Sequence, residues 1–423
     1  MTMIEPLMFL NRMGRPEDLW TQAEDVSLRP LPANTHIHLP PNFSAFERVS
    51  QAVQLASEQG VRVLGAGNYY DFTVYEEFSR LCLEAGIFPF FSTELIAFEP
   101  EMAEQKIRVN DPGNPGKIYL CGKGITQFSP FSAEAAEQMA AIRRNDGARM
   151  KAMIETMSEQ FKNAGYPVKL DEQAVIDRVV KRHGSAPQTV TLQERHIAQA
   201  FQEVLFEMVS VEQRSDALSA VYNCSSKAGA DDVVGTQNDI RSFLMKAGKP
   251  CFVPESFGRL CEAKTLIDRL GGIACYPILA DGAAALCEYE TPVEELIERL
   301  KENGFAMAEF IPVRNRPDAL AAYATALRKA GIVLTAGTEH NTLDLISLTP
   351  VCVDGSPIPA ELNDWFWEGV CVVAAHQYLC AHGQTGFVDA HGRPNPDWPG
   401  DEERIDAFAR LGQVVLNAFF DKD

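Results

Sequence analysis

Short apolar runs alternate with helical patterns through much of the 423-residue chain. The runs are NTHIHL, GVRVLGAG, GIFPFFSTELIAF, KIYLCGKGI, KPCFVPES, GGIACYPIL, GFAMAEFIPV and GIVLTAGTEH. Apolar positions recur at helical spacing in 44–59 and 75–85, and Gly60 and Gly86 stand where helix C-terminal caps are expected. Strand, helix and strand at this spacing predict a parallel sheet of βα units.

The pattern becomes mostly helical in the middle of the chain. Ser132 and Asp171 are candidate helix N-caps, and Thr191 with Glu194 forms a candidate capping box before an apolar helical face. The predicted divisions are a lead-in at 1–32, a barrel at 33–128 and 246–349, a mostly helical insertion at 129–245 whose helix at 190–210 contributes to the site, and an extension at 350–423 packed on the barrel.

Composition narrows the expected partners. Hydrophobic residues make up 46% of the chain, so a sizeable core is expected. The net charge of −20 disfavours binding to nucleic acid and to anionic membranes. A small anionic substrate is still compatible with this charge, because local cations or a metal can make the potential inside a pocket positive. The ten cysteines form no C-x-x-C pair and indicate reduced thiols. With no secretory pattern, a cytoplasmic protein is expected, and self-association is left open.

Residues able to bind a metal gather at the ends of predicted strands. His36 and His38 are two apart on an extended run, so their side chains point to one face. Glu94, Asp71 and the pair Glu339–His340 end three further runs. The carboxyl ends of barrel strands meet at one mouth, where imidazoles and carboxylates together suit a divalent cation. For H-x-H alone, two structural histidines are the alternative.

Three further residues have less specific surroundings. Lys123 and Arg314 lie near predicted strand ends, where either could hold an anionic substrate group or remain a surface charge. His196 lies beside the apolar face of its helix, so the residues alone favour a half-buried structural histidine.

In order and spacing, these blocks resemble the PHP (polymerase and histidinol phosphatase) superfamily over residues 33–128 and 190–345. NTHIHL resembles its H-x-H strand, FPFFSTELI the block of its bridging glutamate (Glu94), ERHIAQAF its H-I-A-x-x-L helix, and LTAGTEHN its closing G-S-D-x-H. The resemblance implies a distorted (β/α)7 TIM-like barrel. It also puts His196 at a metal-ligand position.

The chain departs from the family pattern at several ligand positions. Asn68-Tyr69-Tyr70-Asp71 replaces T-D-H, Tyr119 and Tyr276 replace two histidines, Glu339 replaces the closing aspartate, and His340 comes one residue early. The resemblance therefore implies one or two zinc, manganese or iron ions. The implied ligands are His36, His38, Glu94, His196, and Glu339 or His340, with Asp71 as a stand-in for the lost Asp-His pair.

The resemblance implies a metal-dependent hydrolase, foremost a phosphoesterase that attacks a small phosphorylated metabolite with metal-activated hydroxide. Glu94, Glu339 and Asp71 are the expected catalytic carboxylates, and Arg314 or Lys123 would orient the anionic group. Two alternatives stay open. One is a metal-assisted enzyme for a carbohydrate or carboxylate substrate, and the other is a barrel that has lost catalysis and binds a ligand or protein partner. In the first alternative, the pocket is lined by three tyrosines: Tyr69, Tyr119 and Tyr276.

Overall fold

The computed structural model describes residues 3, 5–283 and 286–421. A seven-stranded sheet lies at its centre, and its strands follow one another in chain order. The strands are β1 (Ala33–Ile37), β2 (Val63–Asn68), β3 (Phe88–Phe98), β4 (Lys117–Lys123), β5 (Ile273–Ile278), β6 (Met307–Phe310) and β7 (Val333–Ala336). The run KPCFVPES, which was expected to be a strand, lies in a loop before the fifth strand.

The sheet closes almost completely into a barrel. β1 and β7 meet beyond their ends, where the His38 amide donates to the Glu339 carbonyl at 2.8 Å and the Glu339 amide donates to the His36 carbonyl at 2.8 Å. Nearly every strand residue is buried, as expected for a barrel with side chains inside and helices outside. The predicted fold class, a distorted TIM-like barrel, is confirmed.

One strand runs against the predicted parallel arrangement. β4 is antiparallel to both β3 and β5, whereas the other neighbouring pairs are parallel. The connection 99–116 between β3 and β4 contains one short helix and returns the chain at the rim where β3 ends. Lys117, opposite Phe98, therefore lies at this rim, and Lys123, opposite Ser92, lies deep in the barrel.

Helices cover the barrel and fill the middle of the sequence. They are α1 (Pro16–Ala23), α2 (Val49–Glu58), α3 (Tyr75–Glu84), α4 (Pro100–Glu104), α5 (Ala133–Asn163), α6 (Glu172–His183), α7 (Glu194–Met208), α8 (Val211–Tyr222), α9 (Val233–Ile240), α10 (Leu260–Arg269), α11 (Val293–Glu302), α12 (Pro317–Lys329), α13 (Ala360–Ala381) and α14 (Asp401–Phe420). Ser132 and Asp171 cap α5 and α6 as predicted, through bonds from the amides of Ala135 and Ala174. The lead-in is more regular than expected, since it contains α1.

Helices α5 to α9 share an apolar cluster of their own, which includes Met153, Phe161 and Phe201. At the other end of the chain, α13 packs directly on the sheet. A side chain at Gly369 would clash with the Leu334 carbonyl of β7, so only glycine permits this approach. None of the described helices has the length and apolarity needed to span a bilayer.

Candidate metal centre and its cavity

Three buried side chains converge inside the barrel mouth. His38 Nε2 lies 2.9 Å from Glu94 Oε2, and His36 Nε2 lies 3.4 Å from the same oxygen. His36 lies in β1 and His38 directly follows it, and β3 presents Glu94 to both. We call these three residues the histidine–glutamate cluster; the residues predicted from H-x-H and from FPFFSTEL are thus together.

The facing atoms of this cluster lie close together but are poorly aligned for hydrogen bonding. His36 Nε2, both ring nitrogens of His38 and Glu94 Oε2 are buried, and none forms a well-aligned hydrogen bond with any residue that the structure describes. Polar groups buried without partners cost a few kcal/mol each, so the arrangement is unfavourable unless something occupies the space between them. Imidazole nitrogen and carboxylate oxygen are ligands for zinc, manganese and iron, and the donor set therefore fits a divalent cation.

Glu309 on β6 supports His36 from behind. Its Oε2 lies 2.7 Å from His36 Nδ1, and its Oε1 accepts bonds from Lys123 Nζ at 2.5 Å and from Thr35 Oγ1 at 2.7 Å. Burial opposes ionisation of Glu309, but Lys123 and His36 outweigh it and lower its pKa to about 2. When the His36 ring is neutral, a carboxylate that accepts Nδ1–H leaves the Nε2 lone pair aimed at the cluster. Glu309 was not among the predicted site residues, although the run AEF places a carboxylate within an apolar strand.

Two glycines make room for the His36 ring. A Cβ at Gly67 would lie 2.7 Å from ring atoms of His36, and a Cβ at Gly337 would lie 2.5 Å from the His36 Cβ. Both distances are below van der Waals contact, so any larger residue would displace the imidazole. Gly67, in the sequence GAGN at the end of β2, thus leaves the space that the ring of His36 occupies.

A second group of possible donors consists of His36, Cys121 and Glu309. Lys123 is already bound to Glu309 in this group, and a cation placed there would be repelled by its ammonium group. The histidine–glutamate cluster is therefore the better candidate for a metal.

The other predicted ligands lie outside both donor groups. His196 Nδ1 accepts a bond from the Gln193 amide at 3.1 Å, so this histidine belongs to a capping box at the start of α7. The box predicted from Thr191 and Glu194 is wrong, because α7 begins at Glu194. His340 Nδ1 bonds Thr338 Oγ1 at 2.7 Å, and its Nε2 bonds the Ile346 carbonyl at 3.1 Å. Burial lowers the pKa of His196 to about 3 and that of His340 to about 4, and both rings are therefore neutral.

Glu339 faces the cavity, but it is already paired. Arg314 forms a two-bond ion pair with it, and the Asn341 amide donates to Glu339 Oε2 at 2.5 Å. Glu339 and His340 both have positive φ values, 57° and 51°, in the turn that follows β7. Glu339 therefore holds Arg314 at the cavity wall.

Three predicted site residues are not brought to the cavity. Lys123 lies inside the barrel on Glu309, because β4 runs opposite to the predicted direction. The Tyr276 hydroxyl donates to the buried Glu290 at 3.0 Å. Asp71 pairs with Arg143 of α5 at 3.2 Å, away from the histidine–glutamate cluster.

A cavity of about 720 Å³ opens next to the histidine–glutamate cluster. Its wall includes Tyr69, Glu94, Tyr119, Arg314 and Glu339, all of which were predicted from the sequence. The basic and acidic side chains of the wall are eight cations, Arg108, Lys117, Arg149, Arg195, Arg241, Lys246, Lys249 and Arg314, and five acids, Glu94, Asp111, Asp146, Glu194 and Glu339. A chain of net charge −20 thus has a cavity with an excess of positive side chains. Most of these cations were missed, since nothing in the local sequence distinguishes them from surface charges.

Tyr69 connects the cavity to the histidine–glutamate cluster. Its ring is parallel to that of His38, with 5.2 Å between the centroids. Burial raises the pKa of Tyr69 well above its ordinary value, and Glu94 raises it further. The phenol therefore stays protonated and can donate a hydrogen bond.

Comparisons with known proteins find similarity in structure rather than in sequence. No protein-family model and no curated protein matches the chain. A crystal structure from Bifidobacterium adolescentis of a protein thought to be a metal-dependent phosphoesterase is similar, with a TM-score of 0.52 and 16% identity over 80% of this chain and 96% of that one. An amidohydrolase from Chromobacterium violaceum, with sulfate bound and no metal, has a TM-score of 0.51 and 17% identity over 79% of this chain and 96% of that one. The similarity of this chain to both proteins is a similarity of fold.

Proposed function

We propose that the chain is a metal-dependent hydrolase and, more specifically, a phosphoesterase for a small anionic substrate. The observation that carries the proposal is the convergence of His36 Nε2, His38 Nε2 and Glu94 Oε2, which are buried and form no well-aligned hydrogen bond among the described residues. The described hydrolase functions of the two fold neighbours are in line with it.

The surrounding side chains have separate roles in this proposal. A divalent cation bound by the histidine–glutamate cluster would polarise a phosphoryl oxygen and make bound water more acidic. Glu309 fixes the tautomer and orientation of His36. Arg314, held by Glu339, would bind the oxygens of the anionic group, and the protonated Tyr69 would donate a hydrogen bond beside His38.

Elemental analysis of purified wild-type protein and of His36→Ala tests the proposal, together with phosphate release from a panel of small phosphate esters. The variant is expected to lose bound metal and activity together, whereas His391→Ala, which changes an exposed histidine, keeps both. A wild-type protein without affinity for zinc, manganese or iron would overturn the proposal. Metal retention without phosphate release from any ester would instead favour hydrolysis of another bond.

A further inference from the structure

Two guanidinium groups on the cavity wall lack a close carboxylate. Arg195 forms no ion pair among the described residues, and its side-chain contacts are the amide oxygens of Asn238 and Asn341, both at 3.5 Å. Arg241 approaches Glu194 only to 3.7 Å, and its Nε is buried without a hydrogen-bond partner in the part of the chain that the structure describes. Both guanidinium groups therefore have donors to offer a ligand.

Glu194 cannot neutralise Arg241, because other cations use the same carboxylate. Arg149 lies 3.0 Å from it, Lys246 lies 3.1 Å from it, and Lys117 lies 3.9 Å from it. Two further carboxylates, Glu255 and Asp111, pair with the other three cations but, among the described residues, not with Arg241, so that three acids face four cations. A positive excess remains on this part of the wall.

Positive charges also surround Arg195. Burial, together with the nearby Arg241 and Arg314, lowers the pKa of Arg195 to about 9. Holding like charges together costs free energy, and a bound anion would offset that cost.

The two arginines share a cavity with the proposed reaction site. Asn341 contacts Arg195 on one side and Glu339, the partner of Arg314, on the other. Glu94 of the histidine–glutamate cluster lines the same cavity. One small molecule can therefore reach the cluster with one end and Arg195 with the other.

We propose that Arg195 and Arg241 form a second anion subsite, which binds a carboxylate or phosphate group of the substrate away from the bond that is cleaved. This inference rests on the proposed function, since it places the reacting group at the histidine–glutamate cluster. The substrate class is a small molecule with an anionic group at each end.

Calorimetric titration of the metal-loaded protein with non-hydrolysable phosphonates tests the subsite. The probes are alkylphosphonates, phosphonocarboxylates and bisphosphonates with matched alkyl chains of increasing length. At the best length, a doubly anionic probe is expected to bind at least about tenfold more tightly than its alkylphosphonate. Whether the phosphonocarboxylate or the bisphosphonate binds better identifies the preferred distal group.

The double variant Arg195→Gln/Arg241→Gln is expected to lose this preference. Arg108→Gln is the matched control, because Arg108 lines the same cavity but is fully paired with Glu288, and it should keep the preference. A wild-type protein without the preference, or a double variant that retains it, would overturn the subsite. If the double variant folds poorly, Arg195→Gln alone serves, since Arg195 has only long contacts to lose.

Metal content, measured on the same samples, separates this inference from the proposed function. A metal-free wild-type protein that still binds bisphosphonates, and binds them more weakly after Arg195→Gln, would support the subsite while the hydrolase proposal fails. Metal-loaded variants with unchanged phosphonate affinities would overturn the subsite and leave the hydrolase proposal standing.

Discussion

Two buried charged clusters border the same cavity, and they are built differently. In the histidine–glutamate cluster, Glu94 Oε2 lies 2.9 Å and 3.4 Å from two imidazole nitrogens, but these atoms form no well-aligned hydrogen bond among the described residues. In the second cluster, which we call the ion-pair cluster, Lys117, Arg149, Glu194 and Glu255 each lie within 4.0 Å of an opposite charge. The first arrangement needs a ligand to offset the cost of burial, whereas the second is satisfied by the chain itself.

The ion-pair cluster also joins separate parts of the fold. Lys117 comes from β4 of the barrel, Arg149 from α5 and Glu194 from α7. We therefore expect this cluster to hold the helical region on the barrel, and the histidine–glutamate cluster to bind a ligand. Variants in the two clusters should separate stability from metal binding.

The largest effect on stability is expected for Glu194→Ala. It removes the carboxylate that Arg149, Lys246 and Lys117 share and leaves their charges only partly balanced by Glu255 and Asp111, which should cost at most about 3–5 kcal/mol. Chemical denaturation measures the loss, and metal content should not change. Glu203→Ala is the control, because Glu203 pairs with Arg178 and Arg182 near the surface and should cost at most about 1 kcal/mol. Equal losses in the two variants would contradict the distinction.

Asp146 lies on the cavity wall and has no direct cationic partner among the described residues. Its carboxyl group should make the stability of the fold depend on pH. Burial raises its pKa from 3.8 to about 7. The protonated form therefore stabilises the fold fully below about pH 4, and this contribution, at most about 4 kcal/mol, is lost as the pH rises through about 7.

Asp146→Asn keeps the side chain neutral at every pH. Its free energy of unfolding should exceed that of the wild type increasingly from about pH 4 to about pH 7, with a constant difference above that. Denaturation curves at several pH values measure this difference. Parallel pH profiles for the two proteins would show that Asp146 is not held in its neutral form.

A smaller effect, on metal affinity, is expected for Glu309→Gln. This substitution changes the residue that orients His36 and leaves the three proposed metal ligands in place. Loss of the carboxylate behind His36 should weaken metal affinity about 10- to 100-fold, as is common for groups that orient a metal-binding histidine. Competition with a chelator measures the affinity. Glu290→Gln makes the same change at another buried carboxylate, which contacts Tyr276 rather than a histidine, and should leave metal affinity unchanged.

Much of the fold could be predicted because apolar runs and glycine caps mark barrel strands and helices locally. Gly60 and Gly86 have positive φ values of 72° and 65°, as expected of helix C-terminal caps. The direction of β4 could not be predicted, because the apolar pattern of a buried strand is the same whether the strand is parallel or antiparallel to its neighbours. For this reason Lys123 was placed at the mouth, although Lys117 lies there.

The site was predictable where strand geometry alone brings residues together. Alternation along β1 and the residue that follows it places His36 and His38 on one face, and the barrel brings Glu94 to them. His196 could not be interpreted in the same way, since its capping role depends on whether α7 begins after Thr191 or after Gln193. The shared cations of the cavity wall depend on contacts between distant segments, which no local pattern records.

Anomalous diffraction from crystals of the metal-supplemented protein tests the central claim most directly. Data collected at the absorption edge of zinc, manganese or iron should show a strong peak in contact with His36 Nε2, His38 Nε2 and a Glu94 carboxylate oxygen. A map with no peak among these three side chains, or with the metal bound only elsewhere, would contradict the account.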